Sequence, residues 1–492
     1  MLLTRSLLLA LSASLAYAAG LKNGLTSAGI DAVFPGDSKY VTASTPFNLR
    51  FDFKPAAVTF PKTPQEVSEI LKLSQELNMK AAARGGGHSY IANGLGGGDG
   101  VIILDMQNFD KITVDSSKGT AVIESGNRLG NIALTLSQAG RALPHGVCAY
   151  VGIGGHASYG GFGFTSRMWG LTLDTISTVN LVLANGTIAR ASAQENSDLF
   201  WGMRGSGGSF GITTSIEVKT FPSPASATIF EYEWTLDIPS TARGIDVFEK
   251  FAQTNLPPQI GGEINLGRGP SKGTVAFHVT GGWYGAEDGF NATIAPFLEG
   301  MPKGPKVTLT QGTYLNSVEY LAGEPLDTRT GPDGHDTFYA KSLMTPESAP
   351  MSLEARTAFA SYLANEGFES DMEWFVQVEL YGGKNSAINA VAPDENAFAH
   401  RTSTFTIQFY ASSPGKQPPF PDHGFTFLDD LVSSITSNSP ADWDYGAYAN
   451  YIDDRLPDWQ KRYYGTHYPR LQGLKDKYDP KDTFDFPTVV EE

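Results

Sequence analysis

The sequence has a single cysteine, Cys148, among its 492 residues. An intramolecular disulfide is therefore excluded, and the thiol is buried and inert, paired with another chain, or attached to another group. Basic residues are also scarce, with 36 Lys and Arg against 52 Asp and Glu, which gives a net charge of −16. This acidic balance argues against nucleic acid or an anionic membrane surface as a partner.

Long apolar runs are absent after the N-terminus, so no later segment is predicted to cross a bilayer. Residues 1–18, MLLTRSLLLALSASLAYA, combine an early positive charge, an apolar run and a small-x-small end. These features predict an export signal that is cleaved after Ala18, with Ala19 as the second choice. The alternative interpretation is an apolar N-terminal helix of the core.

Secretion into the extracellular medium would make two sequons usable, Asn185-Gly186-Thr187 and Asn291-Ala292-Thr293. The first sequon also lies between two strand-like runs, where an Asn-Gly pair is typical of a hairpin turn. Asn185 and Asn291 are therefore predicted glycosylation sites, and the hairpin turn is the alternative role of Asn185.

Glycine is abundant and is concentrated in two stretches. Arg84–Tyr90 reads RGGGHSY, and a glycine triplet marks a sharp bend or the close approach of another molecule, because it costs backbone entropy. Between Gly152 and Gly163 the glycine density predicts a loop rather than a regular helix, with N–H groups turned toward a bound anion. The flanks argue against a Rossmann turn, because the next segment, Asp174–Ala184, is strand-like rather than helical.

Helices and strands alternate through about residue 220, and Pro222 and Pro224 then break the pattern. Thr63-Pro64-Gln65-Glu66 has the pattern of a capping box at the start of a helix. Beyond residue 224 the patterns favour an antiparallel sheet covered by helices. The length favours two domains, so the predicted fold class is α+β. The strands predicted are Lys80–Ala83, Val101–Leu104, Ala121–Glu124, Asp174–Ala184, Thr274–Thr280, Trp374–Leu380 and Thr404–Tyr410, with a helix over Ile132–Leu143.

Four motifs carry a resemblance to a known family. They are RGGGHSY, HGVCAYVGIGGH, FWGMRGSGGSFGITTSIEVKTFP and the closing YYGTHYPRLQGLKDKYDPKDTFDFP. In this order, over nearly the whole chain, they resemble the secreted berberine-bridge-enzyme-like flavoproteins of the vanillyl-alcohol oxidase, or p-cresol methylhydroxylase, superfamily. Among these, the fungal glucooligosaccharide and chitooligosaccharide oxidases are the most similar. The resemblance implies a two-part FAD-binding domain over residues 19–222 and 441–492, with a substrate domain over residues 223–440.

The same resemblance implies a cofactor, FAD, that is attached covalently at two residues. His88 would bond to the flavin C8-methyl carbon, and Cys148 would form a thioether to ring carbon C6, which would explain the unpaired cysteine. The alternatives are a hydrogen-bonded loop histidine and a buried free thiol, and His156 has a structural role as its alternative. The further FAD contacts implied are Arg84, Gly85, Gly86, Gly87, Ser89, Gly152, Gly155, His156, Gly160, Gly163, Ile212 and Asn450.

A catalytic base is also implied by the resemblance. YGAYANYIDDRL resembles the family's Y-x-N-Y strand, whose first tyrosine, Tyr448, would act as the base. On a strand, Tyr448 and Asn450 share a face and Tyr451 points away. A phenol with a pKa of about 10 is a poor base at neutral pH, so Glu379 is expected to accept the Tyr448 proton through a hydrogen bond. The family places an aspartate there, and a solvent-facing strand glutamate is the alternative.

Substrate contacts and an oxygen gate complete the implied site. Tyr90, Glu263 and Gln377 are expected to hydrogen-bond substrate hydroxyls, and Gln377 shares a strand face with Glu379. Val151 has the position of the family's oxygen gate, where valine goes with reaction with O2; a core valine is the alternative. No metal site is expected.

The function implied is oxidation of the reducing-end C1 hydroxyl of an oligosaccharide to a lactone. Electrons would pass to FAD and then to O2, with formation of hydrogen peroxide, in a monomeric extracellular enzyme. The alternative is an oxidase of a phenolic, alkaloid or other secondary metabolite on the same scaffold. A non-enzymatic glycan-binding module is a third interpretation. A binding module would have no use for the two covalent flavin attachments.

Overall fold

The computed structural model describes residues 19–331 and 333–491. The predicted export signal, residues 1–18, lies outside this part of the chain. Residues 19–27 are helical and bury Leu21 and Leu25 against the first domain. No helix in the described part of the chain is both long and apolar enough to cross a membrane.

Helices and strands are interspersed along the described part of the chain. The strands are β1 (Ala32–Val33), β2 (Ala57–Thr59), β3 (Ala81–Arg84), β4 (Ile102–Asp105), β5 (Ile112–Asp115), β6 (Thr120–Glu124), β7 (Arg141–Ala142), β8 (Ile176–Leu183), β9 (Ile188–Ser192), β10 (Gly211–Lys219), β11 (Phe221–Pro222), β12 (Ala227–Asp237), β13 (Ile260–Arg268), β14 (Thr274–Trp283), β15 (Lys306–Gly312), β16 (Phe338–Pro346), β17 (Glu373–Leu380) and β18 (Ser403–Ser412). The helices are Tyr40–Ser44, Pro64–Glu76, Leu129–Gln138, Ile153–Ser158, Ser166–Trp169, Ser197–Ser206, Ile238–Ala252, Phe290–Gly300, Tyr314–Ala322, Leu353–Ala364, Glu366–Glu369, Asp422–Thr436, Trp459–Tyr464 and Tyr468–Tyr478. The predicted α+β class is confirmed.

The N-terminal part contains a small, largely parallel sheet and an antiparallel one. The first has the order β1-β2-β4-β3, in which β2, β4 and β3 are parallel and β1 is an antiparallel edge. Its central strand, β4, is buried throughout, as is expected for a parallel strand that is covered on both faces. The second sheet, β5-β6-β10-β8-β9, is antiparallel. The C-terminal segment returns to the first sheet, where the Ala81 N–H donates to the Thr483 carbonyl at 2.8 Å.

The middle of the chain forms one antiparallel sheet of seven strands, in the order β15-β12-β14-β13-β17-β18-β16. One face packs its apolar side chains, such as Val376 and Val378, against helices that include Ile238–Ala252 and Leu353–Ala364. Successive side chains of a strand point to opposite faces, so Gln377 and Glu379 point to the other side. This second face is turned toward the glycine-rich stretches of the first domain.

The predicted strands all occur, with ends shifted by a few residues. The Asn185-Gly186 turn is confirmed, since it joins β8 to β9 in a hairpin. The helix predicted over Ile132–Leu143 instead spans Leu129–Gln138, because Gly140 takes a left-handed φ of 65° and the chain continues into β7. The loop predicted from Gly152 to Gly163 contains a short helix, Ile153–Ser158, so that prediction is wrong in part. Two of its glycines have helical backbone, and the positive φ angles begin only at Gly160.

Candidate active site

A large cavity of about 1010 Å³ lies between the glycine-rich stretches and the polar face of the seven-stranded sheet. Residues 84–90 and 146–164 supply one side, which we call the loop wall. Strands β13, β17 and β18 supply the opposite side, which we call the sheet wall. The volume is at the upper end of the range for ligand sites.

On the loop wall the two glycine-rich stretches touch through their backbones. A Cβ atom at Gly86 would lie 2.4 Å from the Gly152 nitrogen, and a Cβ at Gly152 would lie 2.1 Å from the Gly86 nitrogen. Neither side of this contact can move away, because both are main chain. Only glycine fits at these two positions, so the two stretches can approach each other this closely only without side chains.

The loop wall also carries His88 and Cys148, the two residues implied as flavin attachments. The His88 ring stacks on Phe47 with a centroid distance of 4.2 Å. The Cys148 side chain is exposed, and its exposure is to the cavity. The thiol is nevertheless surrounded by protein, so burial raises the pKa of Cys148 to about 11, and Glu324 and Glu263 add to this effect. The thiol is therefore protonated at neutral pH.

His156 connects the second glycine stretch to its surroundings. Its Nε2 accepts a hydrogen bond from the Gly146 N–H at 3.1 Å, and its carbonyl accepts one from Asn450 Nδ2, also at 3.1 Å. Burial lowers the pKa of His156 to about 3, so the imidazole is neutral. His156 faces the cavity and holds its neighbours in place at the same time.

Tyr448 and Tyr451 lie side by side on the cavity wall, which corrects the prediction that Tyr451 points away. Residues 448–451 form a turn rather than a strand, with the Tyr451 N–H donating to the Tyr448 carbonyl at 2.9 Å. The turn brings the two rings edge to face, with centroids 5.0 Å apart.

The two tyrosines have different hydrogen-bond partners. The Tyr448 oxygen accepts from the Gly161 N–H and the Phe162 N–H at 2.9 Å each, and from Asn450 Nδ2 at 3.1 Å. Burial raises the pKa of Tyr448 to about 12, although these donors favour the phenolate. Tyr451 instead donates its hydroxyl proton to Glu379 Oε1 at 2.8 Å. The predicted hydrogen bond between Tyr448 and Glu379 is therefore wrong, because the turn places Tyr451 over β17.

Two buried acidic residues, Glu263 and Glu379, lie side by side on the sheet wall. They are register partners on β13 and β17, and each is at most 6% exposed. Glu263 Oε1 accepts from Asn265 Nδ2 at 2.9 Å and from Gln377 Nε2 at 2.8 Å. Burial raises the pKa of Glu263 to about 7. Burial, followed by the charge of Glu263, raises the pKa of Glu379 well above its ordinary value.

Tyr90 joins the loop wall to the sheet wall. Its hydroxyl accepts a hydrogen bond from Gln408 Nε2 on β18 at 2.6 Å. Its ring lies parallel to that of Tyr451, with centroids 6.1 Å apart. Tyr90 therefore helps to position Tyr451, in addition to facing the cavity.

The cavity has polar atoms that suit a large polar ligand such as FAD. Among the described residues, three buried oxygens on its lining have no hydrogen-bond partner in the protein: Asn93 Oδ1, Ser125 Oγ and Glu379 Oε2. Buried polar atoms of native proteins are normally paired, so these three call for a bound polar group. The glycine backbone contact and the positions of His88 and Cys148 on the same wall agree with that requirement.

Nearly all residues implied by the resemblance lie on this cavity. Gly160 is the exception, since it lies behind the wall, where a Cβ would meet the Tyr448 ring at 2.7 Å. Asn185 and Asn291 are exposed on the surface. No group of three or more potential metal ligands occurs in the described part of the chain. The residues on the cavity are Arg84, Gly85, Gly86, Gly87, His88, Ser89, Tyr90, Cys148, Val151, Gly152, Gly155, His156, Gly163, Ile212, Glu263, Gln377, Glu379, Tyr448 and Asn450.

Sequence reasoning missed several polar residues of the site. Asn265 and Gln408 share strand faces with Glu263 and Tyr410, so strand parity from a known cavity residue would have found them. Ser125 lies in a turn and Asn93 begins a short 3-10 helix, and no periodic pattern marks either residue.

Two family models match this chain. One is described as an FAD binding domain and covers residues 55–192, which include both glycine-rich stretches. The other, described as berberine and berberine like, covers residues 447–491, which include Tyr448 and Tyr451. Both models fall on the parts of the chain that build the first domain. Fold and site together define an FAD-dependent oxidoreductase.

Similarity to known proteins extends over nearly the whole chain. A carbohydrate oxidase from Microdochium nivale is 36% identical over 477 residues, which are 95% of this chain and 94% of the relative. A solved chitooligosaccharide oxidase superposes with a TM-score of 0.90 at 32% identity, covering 96% of this chain and 99% of that one. A glucooligosaccharide oxidase from Acremonium strictum, described with a 6-S-cysteinyl, 8α-N1-histidyl FAD, has a TM-score of 0.89 at 32% identity, with coverages of 96% and 99%. The chain belongs to the berberine-bridge-enzyme-like family of FAD-linked oxidases, as its motifs indicated.

Proposed function

We propose that this protein oxidises the reducing-end C1 hydroxyl of oligosaccharides to a lactone and passes the electrons through FAD to O2, with formation of hydrogen peroxide. The observation that carries the proposal is the hydrogen bond of 2.8 Å between Tyr451 and Glu379, which lies on the cavity beside a row of polar side chains. The relatives named above are oxidases of carbohydrates and oligosaccharides, which favours a sugar over a phenolic substrate.

The loop wall is the part of the cavity that would hold FAD. Gly86 and Gly152 provide backbone groups, and His88 and Cys148 would provide the covalent links, since all four lie on the same wall. The attachment through both residues follows the description of the glucooligosaccharide oxidase relative. When bound, FAD supplies an acceptor for the hydride that leaves the substrate carbon.

Tyr451 takes the hydroxyl proton of the substrate in this proposal. It hands its own phenolic proton to Glu379 along their hydrogen bond. Burial and the neighbouring Glu379 raise the pKa of Tyr451 well above its ordinary value, so a free phenolate is not formed beforehand. The raised pKa of Glu379 makes its carboxylate a better proton acceptor than an exposed glutamate. The two proton transfers therefore take place together.

Tyr448 is the base that the family motif implied, and its surroundings favour a different role. In the described part of the chain, all the hydrogen-bond partners of its hydroxyl oxygen are donors, and no residue is placed to accept its proton. We infer that Tyr448 anchors the glycine stretch at Gly161 and Phe162 and keeps Tyr451 in place.

The sheet wall would recognise the sugar. Glu263, Gln377 and Gln408 offer acceptors and donors for ring hydroxyls. Farther along the same wall, Phe375 and Tyr410 stack with centroids 4.9 Å apart and present apolar ring surface to the cavity. A pyranose has hydroxyls at its edge and C–H groups on its faces, so it fits this mixture of polar and aromatic side chains.

We further propose that the protein is secreted as a monomer and carries glycans at Asn185 and Asn291, which are both exposed. The apolar N-terminal stretch and the two sequons support this location. Val151 lies on the loop wall close in sequence to Cys148, a position that suits a gate for O2.

The test is turnover of cello-, chito- and xylo-oligosaccharides by the purified protein, with peroxide release and lactone formation as readouts. We expect equal amounts of the two products with at least one oligosaccharide and slow turnover of phenolic alcohols. Faster peroxide release from a phenolic or alkaloid substrate than from every sugar would contradict the proposal.

A further inference from the structure

His88 makes a contact for which the proposed function has no role. Its Nε2 lies 3.0 Å from each of the two carboxylate oxygens of Asp333. A carboxylate oxygen accepts hydrogen bonds, so Nε2 carries the ring proton and donates it to Asp333. The lone pair of the neutral imidazole is then on Nδ1. Phe47, stacked on the ring at 4.2 Å, limits its rotation.

Asp333 is in turn held by Arg128. Arg128 Nη2 lies 3.0 Å from Asp333 Oδ2 and also donates to the Gly86 carbonyl at 3.2 Å. Gly86 belongs to the glycine triplet next to His88 in sequence. Arg128 therefore binds both Asp333 and the loop that carries His88. The side chains of His88, Asp333 and Arg128 are 12%, 25% and 27% exposed, which keeps competing water mostly away from these bonds.

Asp333 reaches this cluster from the other domain. It lies on the connection that leads into β16 of the seven-stranded sheet. Before it, Glu324 Oε1 accepts from the Ala149 N–H at 3.0 Å, and after it, the Asp336 carbonyl accepts from the Leu49 N–H at 2.7 Å. Because the connection is fastened to the first domain on both sides, the carboxylate position is set by the fold and not by a free loop.

We propose that Asp333 is the positioning residue for covalent attachment of the flavin to His88, with Arg128 orienting its carboxylate. The inference rests on the His88 link that forms part of the proposed function. Asp333 selects the tautomer in which Nδ1 is the nucleophile, and it accepts the Nε2 proton as the new bond forms.

The atoms and electrons of this step balance with O2 as the oxidant. A bond forms between His88 Nδ1 and the C8-methyl carbon, and one C–H bond of that methyl group breaks. His88 loses its Nε2 proton to Asp333, the methyl carbon loses a proton, and two electrons go to the flavin ring. O2 then takes up two electrons and two protons as hydrogen peroxide, which restores oxidised flavin. A carboxylate at 3.0 Å from Nε2 is placed to take the histidine proton.

The experiment isolates the His88 bond by removing the other attachment. In Cys148→Ser, flavin that stays with the protein after acid precipitation is attached through His88. Adding Asp333→Asn keeps the shape of the side chain and an oxygen acceptor but removes the carboxylate. We expect the covalent fraction, or the rate at which it forms on incubation with FAD, to fall at least about tenfold. Total bound flavin, measured by absorbance before precipitation, should stay close to that of Cys148→Ser.

Two controls show whether the effect is specific to Asp333 and whether the flavin is attached at His88. Asp327→Asn in the Cys148→Ser background alters another aspartate of the same connection, one that receives a bond from Asn131, and should leave attachment unchanged. Mass spectrometry of the peptide that contains His88 confirms where the flavin sits. An unchanged covalent fraction in Cys148→Ser, Asp333→Asn would overturn the inference, and so would a parallel loss of total flavin, which indicates a structural role. Release of the flavin from Cys148→Ser alone would refute the His88 link, and this inference with it.

Discussion

The two walls of the cavity use different parts of the polypeptide. The loop wall presents main chain, and its glycines approach so closely that a Cβ at Gly86 would lie 2.4 Å from the Gly152 nitrogen. The sheet wall presents side chains from every second residue of its strands, among them the register partners Glu263 and Glu379. The loop wall therefore selects its ligand through the shape of the main chain, and the sheet wall selects its ligand through the chemistry of its side chains.

This difference separates holding the cofactor from acting on the substrate. A Cβ atom added at the Gly86–Gly152 contact of the loop wall is expected to remove flavin, because the main chain there cannot adjust to a new side chain. A change in the sheet wall is expected to leave flavin in place and to alter the rate of its reduction or the pH at which that rate is reached. The four substitutions below test this separation, from the largest expected effect to the smallest.

Gly86→Ala is expected to lose most of the bound flavin, because its Cβ would overlap the Gly152 main chain. Overpacking of this kind costs about 1–3 kcal/mol, about 5- to 150-fold in an equilibrium. The flavin-to-protein absorbance ratio measures the effect. Gly98→Ala is the matched control, since a Cβ there meets no atom within 4 Å and Gly98 lies off the cavity. Full flavin content in Gly86→Ala would show that the loop wall is not specific through shape.

Tyr451→Phe is expected to slow anaerobic flavin reduction by oligosaccharide about 10²–10⁴-fold, because it removes the group that receives the substrate proton. Flavin content and reoxidation by O2 should not change. Tyr448→Phe is the control on the same turn, and it should retain reduction to within about tenfold. It should lower the melting temperature instead, since the buried N–H groups of Gly161 and Phe162 lose their acceptor, at about 1–3 kcal/mol each. The opposite pattern would return the role of base to Tyr448.

Glu379→Gln is expected to slow flavin reduction by about tenfold or more, since hydrogen bonds to charged groups contribute about 1.5–3 kcal/mol. The dependence of the reduction rate on pH tests whether Glu379 acts as the proton acceptor. A protonated Glu379 cannot accept the Tyr451 proton, and its pKa is raised, so the rate in the unmodified protein should rise with pH as this carboxyl ionises. In Glu379→Gln that rise should vanish. Its effect combined with Tyr451→Phe should be less than additive, because the two residues act as one relay.

Glu263→Gln is expected to have the smallest effect on the maximal rate. The charge of Glu263 helps to raise the pKa of Glu379, so its removal should lower that pKa and move the acidic limb of the rate profile to lower pH. Glu233→Gln, on β12 and off the cavity, is the control and should leave the profile unchanged. A shift to higher pH would show that the two carboxylates do not interact as their positions indicate.

Much of the loop wall could be predicted from the sequence. The glycine triplet before His88 and the lone Cys148 marked a site. Both features can be recognised from the sequence alone, because neither depends on which distant residues are brought together by folding. The sheet wall was predicted less completely. Strand alternation put Gln377 and Glu379 on one face, but the partner strands that bring Asn265 and Gln408 to them depend on register.

By itself the sequence determined the fold class, the absence of an intramolecular disulfide, the two glycine-rich stretches and the family. These properties depend on composition and on residues that are close along the chain. Only the tertiary structure decided that Tyr451 rather than Tyr448 meets Glu379, and that Asp333 meets His88. Those pairs are 72 and 245 residues apart, and a turn, a strand register and a connection between domains bring them together. Contacts of this kind are set by the packing of the whole chain, which no local pattern contains.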